Sequence, residues 1–140
     1  MGVATMNNAG FPDSLMAAII PHRVPLTTKQ IGDAGEATAA DYLVARGLRV
    51  LERNFRVKGG EIDLVCRDGA ITVFVEVRRR SASSADFGGA GASITARKQQ
   101  RLILAARHWL ARHGECACRF DCVLIDGDKL EWIRDAFSVD

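Results

Sequence analysis

The sequence lacks a long hydrophobic run, because no apolar stretch approaches the roughly 20 residues that a membrane-spanning helix needs. One short apolar patch, Leu15 to Ile20, has no basic residue before it and Pro21 directly after it. A secretory signal would have a basic start and a cleavage site of small residues, so we expect a cytoplasmic protein with no membrane partner. With 140 residues, 48% hydrophobic and 26% charged, the chain has the size and composition of a globular domain.

Proline is scarce, and the four cysteines show no standard disulfide or zinc pattern. All three prolines lie within residues 1–26, which show no clear period, and this segment is predicted to be a flexible arm before a domain of residues 27–140. A chain without export is not expected to carry a disulfide framework. The usual C-x2-C pairs of a zinc site are missing too, although His113 lies near three of the thiols. We therefore interpret the thiols as buried or idle, with zinc as the disfavoured alternative: Cys66, Cys116, Cys118 and Cys122.

The charged residues are distributed unevenly, although the formal net charge is only +2. Residues 78–119 contain nine basic and two acidic side chains, a bias that suits a phosphate backbone. A solvated helix face would give the same pattern, and both interpretations stay open. Within this region Arg97, Arg101 and Arg112 lie on one face of a predicted helix and are the candidate nucleic-acid-binding residues.

Hydrophobic periodicity predicts the element order α, β, β, β, α, β, β. Ser, Ala and Gly dominate the stretch from Ser81 to Ala92, which is typical of a mobile loop. The predicted elements are a helix from a cap at Thr27 or Thr28 to about Arg46, strands at Leu48–Val57, Glu61–Arg67 and Ala70–Arg79, a helix that begins at a cap at Thr95 and ends before Gly114, and strands at Arg119–Ile125 and Lys129–Ile133.

The most informative segment is a hairpin whose turn is predicted at Asp68-Gly69. Because strand residues alternate between faces, one face gathers three carboxylates at its end far from the turn, with Glu61 opposite Glu76 and Asp63 diagonal to it. Opposed carboxylates repel, and a divalent cation bound by oxygens would balance them. An outward-pointing Glu61 paired with a surface arginine is the alternative. The other face is apolar and predicted to be core: Ile62, Leu64, Cys66, Ile71, Val73, Val75 and Val77.

Two helix positions add charged side chains on stripes that face the sheet. Glu36 lies on such a stripe of the first helix, where a carboxylate is costly unless a partner satisfies it. Lys98 lies on the corresponding stripe of the second helix. The Lys98 side chain either reaches inward or extends along an apolar wall so that its ammonium stays in water.

Several short motifs occur in a fixed order along residues 28–137. The ordered set resembles the YraN family of bacterial proteins, which is similar to the PD-(D/E)xK nucleases and the archaeal Holliday-junction resolvases. The resemblance implies an α/β, restriction-endonuclease-like fold of three layers, α/β/α, with a mixed central sheet. The motifs are G-x-x-G-E-x-x-A from Gly32 to Ala39, Tyr42-Leu43, Asn54-Phe55-Arg56, G-E-I-D-L from Gly60 to Leu64, V-F-V-E-V-R from Val73 to Arg78, Phe87-Gly88, Lys98, Arg101-Leu102 and Arg119-Phe120-Asp121.

This resemblance also implies a function. The resemblance implies that the protein is a nuclease acting on DNA, including branched or damaged DNA in repair or recombination. The implied ligands of Mg²⁺ or Mn²⁺ are Glu36, Asp63 and Glu76. The implied catalytic residues are Asp63, Glu76, Arg78 and Lys98. Arg78 replaces the usual lysine of the E-x-K motif, and an arginine cannot accept a proton. Lys98 is the candidate replacement. A nucleic-acid-binding module without cleavage is the alternative function, a scaffold role comes third, and a homodimer is compatible with the sequence.

Overall fold

The computed structural model describes residues 27–79 and 94–139, whereas the predicted arm (1–26) and the predicted mobile loop (81–92) lie outside the described residues. Within the described ranges, two helices and five strands follow one another in the predicted order. No helix of this part of the chain is long and apolar enough to cross a membrane. The elements are α1 (Thr28–Ala45), β1 (Arg49–Val57), β2 (Gly60–Asp68), β3 (Ile71–Arg79), α2 (Ala96–His113), β4 (Cys118–Asp126) and β5 (Lys129–Phe137).

Both helices begin at predicted threonine caps. The Thr27 hydroxyl accepts a hydrogen bond of 3.1 Å from the backbone N–H of Gln30. The Gln30 side chain in turn accepts one of 2.9 Å from the backbone N–H of Thr27, so the pair forms a capping box. The Thr95 hydroxyl accepts a hydrogen bond of 3.2 Å from the backbone N–H of Lys98. This cap fixes the first turn of α2 and with it the starting point of the Lys98 side chain.

The five strands form one mixed sheet in the order β1-β2-β3-β4-β5. Three neighbouring pairs are antiparallel, and β3 and β4 are parallel. A parallel pair needs a crossover connection, and α2 lies in the segment that joins β3 to β4. The predicted α/β class with a mixed sheet is therefore confirmed.

Each face of the sheet is covered by one helix. The face under α1 buries most of the predicted apolar residues of the hairpin, including Leu64, Val73 and Val75, but the prediction for Ile62 is wrong, since that residue lies on the other face. The face under α2 is buried as well, because Val65 and Phe74 pack there with the apolar side of that helix. The second face of the hairpin is therefore core around Val65 and Phe74, and Glu76 lies beyond them toward its far end.

The predicted register of the hairpin is wrong. The ladder closes with Asp68 opposite Ile71, so the turn residues are Gly69 and Ala70 rather than Asp68 and Gly69. Gly69 has a φ of +60°, which suits glycine at this turn position. Each partner on β3 lies two residues further along than predicted. A shift of two residues by itself keeps every side chain on its face, so most of the predicted division into faces survives while the individual pairs change. Ile62 is the exception, because it packs under α2 and not with Leu64.

The turn between β1 and β2 touches α2 directly. A Cβ atom built on Gly60 would lie 2.5 Å from the carbonyl oxygen of Arg101 and 3.0 Å from the backbone nitrogen of Ala105. Glycine is required for this close approach, because any side chain would push the helix away from the sheet. The contact places Arg101 beside the start of β2, where the acidic residues begin.

Candidate functional site

Asp63 lies where the ladder between β2 and β3 ends. The last paired residues are Leu64 and Val75, and beyond them the Asp63 carboxylate accepts a hydrogen bond of 2.7 Å from the backbone N–H of Val77. A side-chain oxygen thus takes the place of a strand carbonyl. The hydrogen bond ties Asp63 to the residue that follows Glu76 and so holds the two carboxylates close together.

The regular alternation of β2 is broken around Asp63. Ile62 and Val65 are three residues apart, yet both pack in the cluster under α2, whereas strict alternation would separate them. On the neighbouring strand Asn54, which lies between the residues paired with Ile62 and Leu64, has a φ of +53°. Asparagine tolerates this left-handed conformation better than most residues. The two strands are therefore both irregular at the level of Asp63.

The environment of Asp63 disfavours its charged form. Burial raises the pKa of Asp63 to about 7, and the negative charges of Glu76 and Glu36 add to the shift, while the Val77 hydrogen bond opposes it. A carboxyl group in this position either keeps its proton near neutral pH or needs a cation to balance it.

Glu76 faces Lys98 from α2. The Lys98 ammonium lies 3.8 Å from a carboxylate oxygen of Glu76, whose side chain is 14% exposed. Burial raises the pKa of Glu76, and the positive charges of Lys98 and Arg78 work in the opposite direction. Of the two interpretations of Lys98, the structure supports the inward one, while 49% of its side chain stays exposed.

Glu36 approaches the same place from α1. It is half-buried and lies within hydrogen-bonding reach of the side chains of Asn54 and Asp63. Burial raises the pKa of Glu36, and Asn54 is the strongest influence in the opposite direction. The sequence alone gave Asn54 no role beyond its place in a motif. The signal that would have identified it is an asparagine within a strand pattern opposite the motif aspartate.

Asp63 is thus the residue that connects the three predicted metal ligands, since it interacts with both Glu36 and Glu76. Within the described residues, however, no group of three or more His, Cys, Asp or Glu side chains is arranged to hold one metal ion. The assignment of Glu36, Asp63 and Glu76 as ligands of Mg²⁺ or Mn²⁺ stays a prediction.

A pocket of about 340 Å³ opens beside Glu76, and we call it the acidic pocket. Glu61 lines it and pairs with Arg56 at 3.7 Å and with Arg101 at 3.9 Å. The corrected register removes the predicted pairing of Glu61 with Glu76. Glu61 instead pairs with arginines, in agreement with the alternative interpretation. The described residues that line the acidic pocket are Glu61, Glu76, Thr95, Arg97, Lys98 and Arg101.

The structure separates the three candidate nucleic-acid-binding arginines. Arg97 and Arg101 line the acidic pocket, whereas the Arg112 guanidinium lies 5.4 Å from the centre of the Phe55 ring and does not line it. Arg78 is half-buried and close enough to Glu76 to influence its pKa.

A further carboxylate, Asp121, belongs to the framework of the sheet. It is fully buried and accepts hydrogen bonds from Arg119 at 3.0 Å, from the Trp132 indole at 2.9 Å and from the backbone N–H of Asp135 at 2.9 Å. Because these donors satisfy it, Asp121 needs no further cation. The motif Arg119-Phe120-Asp121 therefore supports the fold.

The cysteines divide into two groups. Cys66 and Cys122 are buried, in agreement with the preferred interpretation of the thiols, whereas Cys116 and Cys118 are exposed. His113 stacks on Trp109 with ring centres 3.9 Å apart, and its Nδ1 lies 2.8 Å from the Trp109 carbonyl oxygen. Nothing in this part of the described chain forms a zinc-binding group.

Comparison with known proteins places these features in a family. Residues 35–125 match the model of the uncharacterised protein family UPF0102. A UPF0102 protein of Dechloromonas aromatica is 63% identical over 114 residues, which cover 81% of this chain and 93% of that protein. The UPF0102 protein YraN of Escherichia coli (strain SMS-3-5) is 53% identical over 117 residues, covering 81% of this chain and 88% of that protein.

Proposed function

The chain belongs to the uncharacterised protein family UPF0102, and we propose that it is a metal-dependent nuclease that hydrolyses phosphodiester bonds of DNA. The observation that carries the proposal is the half-buried pair Asp63 and Glu76. Their repulsion helps to raise the pKa of Asp63 to about 7, and Glu76 lines a pocket together with Arg97, Lys98 and Arg101. Carboxylates that need a cation, placed beside a surface that attracts phosphate, suit phosphodiester cleavage.

The proposed fold relationship is to the restriction-endonuclease-like proteins. The support is the combination of an antiparallel hairpin that carries Asp63 and Glu76, a first helix that supplies Glu36, and a helix that crosses to a parallel strand. Folds host many functions, so this relationship adds to the argument from the site and does not replace it.

The donor chemistry fits Mg²⁺ better than a softer metal. Mg²⁺ prefers oxygen ligands, keeps several waters, and is often bound through one or two carboxylates together with substrate phosphates. Asp63 and Glu76 would supply those carboxylates, with Glu36 holding Asp63 in place or joining as a third ligand. When bound, the ion polarises the scissile phosphate and lowers the pKa of an attacking water.

Two basic residues complete the proposed active site. Arg78 stays protonated, so its role is to stabilise negative charge on the phosphate. Lys98 lies 3.8 Å from Glu76 and keeps half of its side chain exposed, so its ammonium can reach both the carboxylate and a phosphate in the pocket. It would supply the amine that the E-x-K lysine provides in the wider nuclease group.

A non-catalytic DNA-binding module is the second candidate function. Arginine in place of the motif lysine favours it, as does the finding that the described side chains form no ready group of three metal-binding residues. In that case the acidic residues would have no catalytic role, and Arg97 and Arg101 alone would bind the DNA.

A cleavage assay separates the two functions. The full chain is incubated with branched, nicked, single-stranded and plain duplex DNA, with Mg²⁺, with Mn²⁺ and with EDTA. Metal-dependent cleavage of any of these substrates supports the nuclease, and the preferred one defines the substrate. Binding to DNA with no cleavage under either metal supports the module. We further propose a cytoplasmic location. Sedimentation analysis of the same preparation determines whether the protein is a homodimer.

A further inference from the structure

A groove runs along the outer side of α2 and adjoins the acidic pocket. It has a volume of about 630 Å³, and we call it the α2 groove. Arg97 and Arg101 line both the pocket and the groove, so the two form one continuous surface. A chain molecule bound in the acidic pocket would therefore continue into the groove.

The charges of the α2 groove suit a polyanion. Its described lining includes Arg97, Arg101 and Arg107 and no carboxylate side chain. Arg97 and Arg107 are ten residues apart on one helix, which corresponds to about 15 Å at 1.5 Å per residue. The arginines thus form a basic track rather than a single point of contact, and a track matches successive phosphates of one strand.

The apolar part of the lining distinguishes between forms of nucleic acid. Ile103, Leu104 and Val139 lie among the arginines, and Leu104 and Val139 are 37% and 44% exposed. A paired duplex presents phosphates and sugars outward and stacks its bases inside, so it offers these side chains little apolar surface. A single strand can turn its base faces toward an apolar wall while its phosphates meet the arginines.

We propose that the α2 groove binds a single-stranded segment of DNA that adjoins the phosphate in the acidic pocket. The inference rests on the proposed nuclease function and narrows its substrate class. The substrate is DNA with unpaired bases beside the bond to be cleaved, such as an overhang, a flap or a branch with an open strand. Fully paired duplex is excluded from the groove.

Binding in EDTA tests this proposal without any cleavage. Fluorescence anisotropy with the full chain compares a single-stranded oligonucleotide with a blunt duplex of the same sequence across a salt series. The variants are Arg107→Gln and Leu104→Asn, and the control is Arg49→Gln, which removes the same charge from an exposed position on β1. Thermal unfolding confirms that each variant is folded.

The expected result is tighter binding of the single strand by the parent protein. Arg107→Gln lowers single-strand affinity severalfold and reduces the slope of log affinity against log salt by about 0.7, the value for one phosphate contact on a single strand. Leu104→Asn also lowers single-strand affinity severalfold, with duplex binding unchanged. Arg49→Gln changes neither.

Two results overturn the proposal: both groove variants bind the single strand as the parent does, or both reduce duplex and single-strand affinity in parallel. These failures differ from a failure of the nuclease function. If the groove variants behave as expected and no metal supports cleavage, the binding of single-stranded DNA in the groove stands, and the nuclease function with its substrate class falls. If cleavage occurs but the groove variants bind the single strand as the parent does, the nuclease proposal stands and the groove proposal falls.

Discussion

The Asp63 carboxylate accepts a hydrogen bond of 2.7 Å from the backbone N–H of Val77. The ladder between β2 and β3 ends just short of this hydrogen bond, at Leu64 and Val75. The carboxylate therefore replaces a strand carbonyl, and the hydrogen bond holds a half-buried acidic group next to Glu76. This arrangement is costly in an isolated protein, because the same burial that fixes Asp63 raises its pKa to about 7.

The first prediction concerns stability against pH in EDTA. The folded pKa of Asp63 is about 7, above its ordinary value of 3.8, so its contribution to stability is complete below about pH 4 and is lost as the pH rises through 7. Since Asp63 shares its titration with Glu76, we expect the free energy of unfolding to fall by about 1–2 kcal/mol from about pH 5.5 to about pH 7.5 relative to Asp63→Asn. Urea unfolding of both proteins measures this difference. Parallel pH profiles would contradict it.

The second prediction concerns Asn54, whose φ is +53° and whose side chain is within hydrogen-bonding reach of Glu36. Asn54→Gly keeps the backbone conformation and removes the amide, so stability should change by less than about 1 kcal/mol. Metal-dependent cleavage should fall about 10- to 100-fold, because Glu36 loses the partner that orients it. The matched control is Asp135→Gly, at a φ of +52° away from the site, which should leave cleavage unchanged. Equal effects of the two variants on cleavage would remove the positioning role of Asn54.

The third prediction concerns the glycine that lies against α2. Gly60→Ala places a Cβ atom 2.5 Å from the Arg101 carbonyl oxygen, so it should destabilise the fold by about 1–3 kcal/mol. Gly32→Ala is the control, because nothing lies within 4 Å of its added Cβ and alanine favours a helix; it should stabilise by up to about 1 kcal/mol. Urea unfolding measures both. If Gly60→Ala is as stable as the parent, α2 is not held by this contact.

The fourth prediction concerns DNA affinity and salt. Arg97→Gln combined with Arg101→Gln should weaken duplex binding to a similar degree for different sequences and reduce the salt slope by about 0.9 for each phosphate that the variant no longer neutralises. Arg112→Gln, measured separately, tests whether the third candidate arginine contacts DNA, since its guanidinium lies over Phe55 and not in the pocket. Arg49→Gln serves again as the control. An unchanged salt slope in the double variant would place the interface elsewhere.

Much of the fold was predictable because its signals are local. Threonine caps, hydrophobic alternation and the motif order predicted both helices, all five strands and the α/β class. The register was not predictable in the same way. Asp68-Gly69 is a favourable turn dipeptide, but the ladder closes around Gly69 and Ala70, which moved every partner by two residues.

The residues of the candidate site were predictable from the sequence, but their arrangement in space was less so. The sequence indicated Asp63, Glu76 and Glu36 together, and the structure brings Glu76 and Glu36 into the surroundings of Asp63. It could not indicate the break in alternation at Asp63 or the left-handed Asn54 opposite, since both arise from pairing between β1 and β2. The position of Arg112 likewise depends on a tertiary contact with Phe55.

The most direct test of the account is metal-dependent DNA cleavage by the parent chain, Asp63→Asn and Glu76→Gln, with binding measured in parallel. The exposed Glu131 provides the control Glu131→Gln. We predict that Asp63→Asn and Glu76→Gln each lower the cleavage rate about a thousandfold. Asp63→Asn should bind DNA as well as the parent or more tightly, because the site loses a negative charge, and Glu131→Gln should cleave normally. Cleavage by Asp63→Asn at the parent's rate, or no metal-dependent cleavage by the parent on any tested substrate, would contradict the account.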